Sequence, residues 1–399
     1  KSGYHVPANT NAVDQYGGMM MISAGIYRLF SMDVHRPLLI IFLSALSMAL
    51  AVIFTWKATQ QTWTEKVALI ASVFLAFYPE GILLGSSQMR EPLLICLASI
   101  MFWATILLTK EERSPFLFFM WLFSFVLLCW ISIPAGLAIL VVNLGYLQVL
   151  WIANEKQSGR RKKRIIFFGI FLAVVFIAGW MWLKDTLYYD AYATETESGL
   201  ITWILSRVGT KWRFPFVLLY GLIQPVLPAA LVYQSLPIWK SIAIFRAFGW
   251  YFVLPFLGYG IGLVINKIRR NREWALGWLM AVLVLWIFIS SARAGGDQWD
   301  NPRYRAIFLP WLVLIVGLVW DHISKQKSPW FWRFAALDII FVLIFIYWYL
   351  GRKFPMRMPI PTEYAIGLFG FLLIAIIAGG FFVDHQRQKR QAHRRKNTG

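Results

Sequence analysis

The feature that most constrains this chain is the recurrence of apolar runs about 20 residues long, each sufficient to cross a bilayer as a helix. Eleven are readable: 37–56, 66–84, 91–109, 116–133, 135–153, 165–183, 247–265, 274–292, 306–320, 336–350 and 364–383. With 59% hydrophobic residues, against roughly 45–50% in a soluble chain, the sequence predicts one polytopic, all-α membrane domain over 1–399. The run at 66–84 is interrupted by Tyr78-Pro79-Glu80 and is expected to be broken or re-entrant. In 18–30, Met19, Ile22, Ile26, Leu29 and Phe30 fall at helical spacing over a stretch too short to span, which predicts a helix lying in the interface.

The formal charge of +20 could suggest nucleic acid, but its distribution points to a membrane. Taking successive runs as alternating crossings, more than half of the 39 Lys and Arg fall on one side, in the loops at 57–66, 110–113, 154–164, 266–273 and 325–333 and in the basic tail at 384–399. By the positive-inside rule that side, with the C-terminus, is cytoplasmic. The 1–36 segment, the loop 80–91, a long loop at 184–246 and the island at 293–305 are then external. The runs GRRKKR and HQRQKRQAHRRK read as anchors on anionic headgroups, because no stacking platform or fold motif accompanies them. Cys96 and Cys129 lie inside apolar runs and form neither a disulfide framework nor a ligand spacing. The chain begins at Lys1 with polar sequence, which implies a leader or a first helix upstream.

The long external loop opens with an acidic, tyrosine-rich patch, LYYDAYATETESG, in which Ser198-Gly199 could open a helix over Leu200–Val208. Its second half is apolar but broken by Pro215, Pro225, Pro228 and Pro237. Each Pro removes a helical hydrogen bond, so a re-entrant or interfacial segment is expected rather than an ordinary span.

Three polar constellations stand on the external side. Glu80, then Ser86-Ser87-Gln88-Met89-Arg90-Glu91-Pro92, interrupts more than forty apolar residues. A helical hairpin would bring Glu80 and Glu91 near the outer surface, with Pro92 in the first turn of the next helix. Carboxylates near arginine suit acid–base chemistry or a divalent cation; alternatively Arg90 and Glu91 neutralise one another at a helix end. The second constellation, Gly295 to Arg305, holds Asp297, Asp300, Arg303, Tyr304 and Arg305. Its arginines present planar forks suited to phosphate, and Asn301-Pro302 predicts a turn before the helix that follows. The competing reading is an Arg/Tyr/Trp anchor at the membrane boundary. The third is Asp14, with Gln15 and Tyr16, ahead of the interfacial helix; there a cap or a solvated acid is the alternative.

In this order the pieces resemble the GT-C superfamily of integral-membrane glycosyltransferases, in particular bacterial relatives of the protein O-mannosyltransferase and aminoarabinose transferase type. The resemblance is carried by QYGGMMMISAGIYRLF and the span after it, by FYPEGILLGSSQMREPLLICL, and by DNPRYRAIFLPWLVLIVGL. It implies a GT-C-like fold and transfer of a sugar from a polyprenyl-phosphate donor, with Glu91 and Arg90 in the site and Arg303 and Arg305 on the donor phosphate. Asp14, Glu80 and Glu91 are then the candidate catalytic carboxylates, and Asp297, Asp300 and Tyr304 support the phosphate arginines. The family's Asp-Glu pair after its first span has only Asp14-Gln15 as a loose counterpart, and a base upstream of Lys1 is the alternative. Membrane lipids and the lipid-linked donor are the implied partners.

The chemistry fits these parts. An acceptor hydroxyl needs a carboxylate base, and a leaving lipid phosphate needs cations. No nucleotide-binding glycine loop occurs, consistent with a lipid-borne donor. A transporter or lipid-carrier flippase would instead place ionisable residues deep in several helices, whereas here the charges cluster at helix ends. A non-catalytic membrane subunit of a larger assembly, with membrane-protein partners, is the third class. The expectation to be tested is that Glu80, Glu91, Arg303 and Arg305 converge on one outward-facing cavity.

Overall fold

The structure, a computed structural model, describes residues 17–31, 36–110, 114–197, 213–232, 236–293, 300–326, 328–353 and 360–397. Among them the secondary structure is helical throughout. The helices are α1 Gly17–Phe30, α2 Pro37–Thr62, α3 Glu65–Phe77, α4 Pro79–Gly85, α5 Glu91–Thr109, α6 Pro115–Ile131, α7 Ile133–Asn154 and α8 Ser158–Glu197. There follow α9 Arg213–Ile223, α10 Leu227–Val232, α11 Pro237–Asn271, α12 Trp274–Arg293, α13 Asp300–Ala306, α14 Leu309–Gln326, α15 Pro329–Lys353 and α16 Thr362–Asn397.

All eleven apolar stretches are helical apart from breaks at Tyr78, Ser132 and Ile307-Phe308. Eight described helices are long and apolar enough to cross a bilayer, or nine if α3 and α4, bent by 57° at Tyr78, count as one broken span. The chain is therefore an integral, multi-pass membrane protein. Of the rest, α6 has 17 residues, and α14 is apolar only until it runs into Asp321-His322-Ile323-Ser324-Lys325-Gln326. Helix α14 is also the most enclosed: every residue from Leu309 to Val319 is buried, packed against α3, α11, α12 and α5. At the other extreme, none of the apolar window of α8 and only 6% of those in α15 and α16 is buried inside the protein. Such surfaces require hydrocarbon as their solvent.

Hydroxyls and amides join the inner helices. Thr55 and Ser99 meet at 3.1 Å between α2 and α5. Thr105 Oγ1 donates to Asn143 Oδ1 at 2.8 Å and accepts from Trp121 Nε1 at 2.9 Å, tying α5, α6 and α7. In a bundle with no hydrophobic drive between helices, such bonds and close packing supply the cohesion.

Three readings change and one is sharpened. Helix α8 continues past 183 to Glu197 and α11 starts at Pro237, so helix occupies both ends of the 184–246 loop. The proline-rich half of that loop forms the short helices α9 and α10, as proline density requires. Asn301-Pro302 does not make a turn before a long helix: it lies within the first turn of α13, where Pro lacks only an unpaired N–H, and α14 starts after a break at Ile307-Phe308. Finally, ionisable residues are not confined to helix ends: Arg246 lies well inside α11, and Asp338 sits between Leu337 and Ile339 in the interior of α15. The Leu200–Val208 segment lies outside the described residues.

Candidate functional site

The site begins with the break between α3 and α4. Pro79 has no N–H to continue the helix and forces Tyr78 into an extended conformation, φ −66° and ψ 124°. The bend turns Glu80, in the first turn of α4, towards α11 instead of along the bundle wall. Gly249 permits the approach of α11: a Cβ there would come within 2.5 Å of Pro79 Cγ. One turn earlier on α11, Arg246 Nε donates to Glu80 Oε2 at 2.7 Å and Nη2 to Oε1 at 2.9 Å. The side chains are 3% and 6% exposed, so this bidentate pair belongs with buried ion pairs, which are costly to break, and not with screened surface ones.

Arg305 lies beside it. From α13 its guanidinium stacks over the Trp250 ring, 3.7 Å from the centroid, while Nη1 donates to Leu222 O at 3.3 Å and Nη2 to Gln224 O. Trp250 Nε1 donates to the same Leu222 O at 2.7 Å, and the Tyr251 hydroxyl donates to Ile223 O at 2.9 Å. These carbonyls close α9, where a helix end leaves acceptors without internal partners. Arg305, Trp250 and Tyr251 thus cap α9 from the side, and the cation sits where a helix C-terminus favours positive charge. Burial pushes the Arg305 guanidinium down to about 10, opposed by Tyr78, Glu80 and Tyr251, and it stays charged at neutral pH. Tyr78, Glu80, Arg246, Trp250 and Arg305 line a cavity of about 10 Å³, room for about one water.

Glu91 and Arg303 form the adjoining half. Glu91 opens α5, with Pro92 in the first turn, and only 1% of it is exposed. Its Oε1 lies 3.8 Å from Arg90 Nε but is buried with no hydrogen-bond partner. The charges acting on this carboxylate are Arg303, Arg90 and Glu80. Arg303 is half-buried; its Nη2 donates to the Tyr304 hydroxyl at 3.2 Å, and Trp286 Nε1 fixes the Tyr304 carbonyl at 2.9 Å. A buried carboxylate oxygen without a hydrogen bond, 3.8 Å from a guanidinium nitrogen, can accept a proton or a hydrogen bond from an incoming hydroxyl.

Of the four residues expected to converge on one cavity, only Glu80 and Arg305 line the same one. Glu91, at the start of α5, lies 3.8 Å from Arg90, and Arg303 is carried by α13, which packs against both α4 and α5. Glu80 and Glu91 are buried rather than near the surface. Asp300 belongs to α13, while Asp14 and Asp297 lie outside the described residues. No three His, Cys, Asp or Glu side chains gather among the described residues, and both Glu80 oxygens are taken by Arg246. Cys96 and Cys129 are free thiols. Arg246, the partner of Glu80, was not anticipated; its signal was a single cation inside the apolar run IAIFRAFGWYF, which is costly in a membrane unless paired.

No family model matches the chain, and no curated protein matches it. Among solved structures it is similar to the crystal structure of ArnT from Cupriavidus metallidurans in the apo state, at 15% identity and a TM-score of 0.38, over 90% of this chain and 65% of that one. The chain thus spans just under two thirds of the length of the structure it matches.

Proposed function

We propose that this protein is a membrane glycosyltransferase of the GT-C type. It moves a sugar from a polyprenyl-phosphate donor to a hydroxyl acceptor, at the membrane face that carries Glu91 and Arg303. By the distribution of Lys and Arg this is the outer face of the membrane, which the resemblance to bacterial transferases makes a bacterial inner membrane. The observation that carries the reading is Glu91 Oε1, a buried carboxylate oxygen without a hydrogen bond, under the charges of Arg90 and Arg303. Buried polar atoms left unsatisfied are rare, and a catalytic role is one of the few explanations for them.

In this mechanism the acceptor hydroxyl donates to Glu91. Its oxygen attacks the anomeric carbon, and the bond from that carbon to the phosphate oxygen breaks. The proton passes to Glu91, and the lipid phosphate leaves with its developing charge held by Arg303 and Arg90. Arg305 is reassigned from phosphate ligand to positioning residue, because its donors hold the end of α9.

The test is transfer from a polyprenyl-phosphate sugar by purified protein. Glu91→Gln is expected to lower kcat about 100-fold or more, the usual contribution of a positioned base. Arg303→Ala should lower kcat/KM by about 30-fold, as loss of a charge-assisted phosphate contact does. Wild-type turnover left intact by Glu91→Gln would overturn the assignment.

One observation favours a second reading, a non-catalytic subunit: the tight closure of Glu80, Arg246 and Arg305 around about 10 Å³. That reading predicts no turnover by the wild type and unchanged co-purification of membrane partners when Glu91 is replaced.

A further inference from the structure

At the end of the bundle opposite Glu91, the last residues of α2, the start of α3 and the last turns of α14 surround an open cleft of about 400 Å³. This lies within the range, about 300–1,000 Å³, of sites that hold small molecules. Its lining is divided. Trp63, Val67 and Leu318 supply apolar surface, while Lys267, Lys325 and Asp321 supply charge.

Asp321 organises the polar side. It is only 8% exposed, and its Oδ2 accepts from Lys325 Nζ at 2.6 Å. Its Oδ1 lies 3.7 Å from Lys66 Nζ but accepts no hydrogen bond. One buried carboxylate therefore collects two ammonium groups whose side chains are 59% and 52% exposed. Lys267, held by Glu273 at 2.9 Å, brings a third, so ammonium groups outnumber carboxylates around the opening. The site offers cations at its mouth, one unsatisfied acceptor in its wall and an apolar face beside them.

We propose that this cleft binds a phosphodiester whose head group carries hydroxyls, of the glycerophosphoglycerol kind. The phosphate oxygens accept from Lys325 and Lys267, a head-group hydroxyl donates to Asp321 Oδ1, and the remaining glycerol lies on Trp63 and Leu318. The same chemistry is offered by a membrane lipid and by a soluble diester. The proposal is independent of the transferase reading, since it uses none of the residues around Glu91.

The experiment counts bound lipid by native mass spectrometry on the purified full chain, offered phosphatidylglycerol or phosphatidylcholine, with soluble glycerophosphoglycerol as competitor. Wild-type protein is expected to retain phosphatidylglycerol in preference to phosphatidylcholine, which has no head-group hydroxyl. The Lys267→Gln/Lys325→Gln variant should bind about tenfold more weakly or worse, as loss of charge-assisted bonds implies. Arg270→Gln, on the same end but not lining the cleft, should behave as wild type. Thr62→Trp, which fills the cleft without touching an ion pair, should also abolish retention and provides the test if the double variant fails to fold. Competition by glycerophosphoglycerol would identify the diester head alone as the ligand, and its failure would identify the acylated lipid. Equal retention of the two lipids, or retention unaffected by Thr62→Trp, would overturn the proposal.

Discussion

The Glu80–Arg246 pair permits the sharpest test of how the outer end is built. Its two hydrogen bonds, 2.7 and 2.9 Å, join α4 to α11 across a contact almost closed to solvent. Removing one partner leaves a buried charge uncompensated, which costs about 3–5 kcal/mol, or roughly two to four orders of magnitude in the unfolding equilibrium. Arg246→Met and Glu80→Gln approximate the original shapes, so little of that cost comes from cavities. The double variant places a neutral amide beside a thioether and leaves neither member of the pair charged, although Arg305 beside them loses the favourable charge of Glu80. Its cost should fall below the sum of the single costs by about 2 kcal/mol or more, since directly paired residues are strongly coupled. SDS-titrated unfolding in mixed micelles, followed by tryptophan fluorescence, would give the three values. Single costs below about 1 kcal/mol, or a double cost equal to the sum, would refute the view that this pair holds the broken span against α11.

Two further outcomes are expected. Arg305→Ala deprives Gln224 O of its donor and Leu222 O of one of two donors, so stability should fall by about 1–3 kcal/mol and proteolysis within 213–232 should accelerate; Arg305→Lys keeps the charge but loses the fork and should recover only part, and unchanged proteolysis would dismiss the capping role. Single cysteines at Gln298 and Gln391, in a background with Cys96 and Cys129 replaced by Ala, should label from opposite sides of the membrane, and labelling from the same side would refute the proposed topology.

The helices were legible because hydrocarbon leaves the backbone little choice. A run of about 20 apolar residues has to satisfy its own N–H and C=O groups, so length and composition alone locate a helix. What they cannot reveal is what each helix faces. Residues 306–320 and 165–183 read alike as apolar runs, yet α14 packs among five other helices while none of the apolar part of α8 is buried. Pairing between sequence-distant helices is set by shape, as where Gly249 admits Pro79, and one glycine carries no label saying which helix it admits.

The candidate site divides along the same line. Proline and charge marked Glu80, Glu91, Arg303 and Arg305, because a helix break and an ionised group are each expensive in a membrane and must have local reasons. Two arginines separated by one residue carry no sequence signal for which faces a ligand and which faces backbone. That difference arises only when α9 ends beneath Arg305, and its terminal carbonyls engage the guanidinium before any phosphate can. Arg246 follows the same rule from the other side. A lone arginine well inside an apolar helix requires an anion, and Glu80, turned inward by Pro79, supplies it. The inference open from sequence was therefore that an interior arginine and a carboxylate beside a helix break need each other; the 166 positions that separate them concealed it.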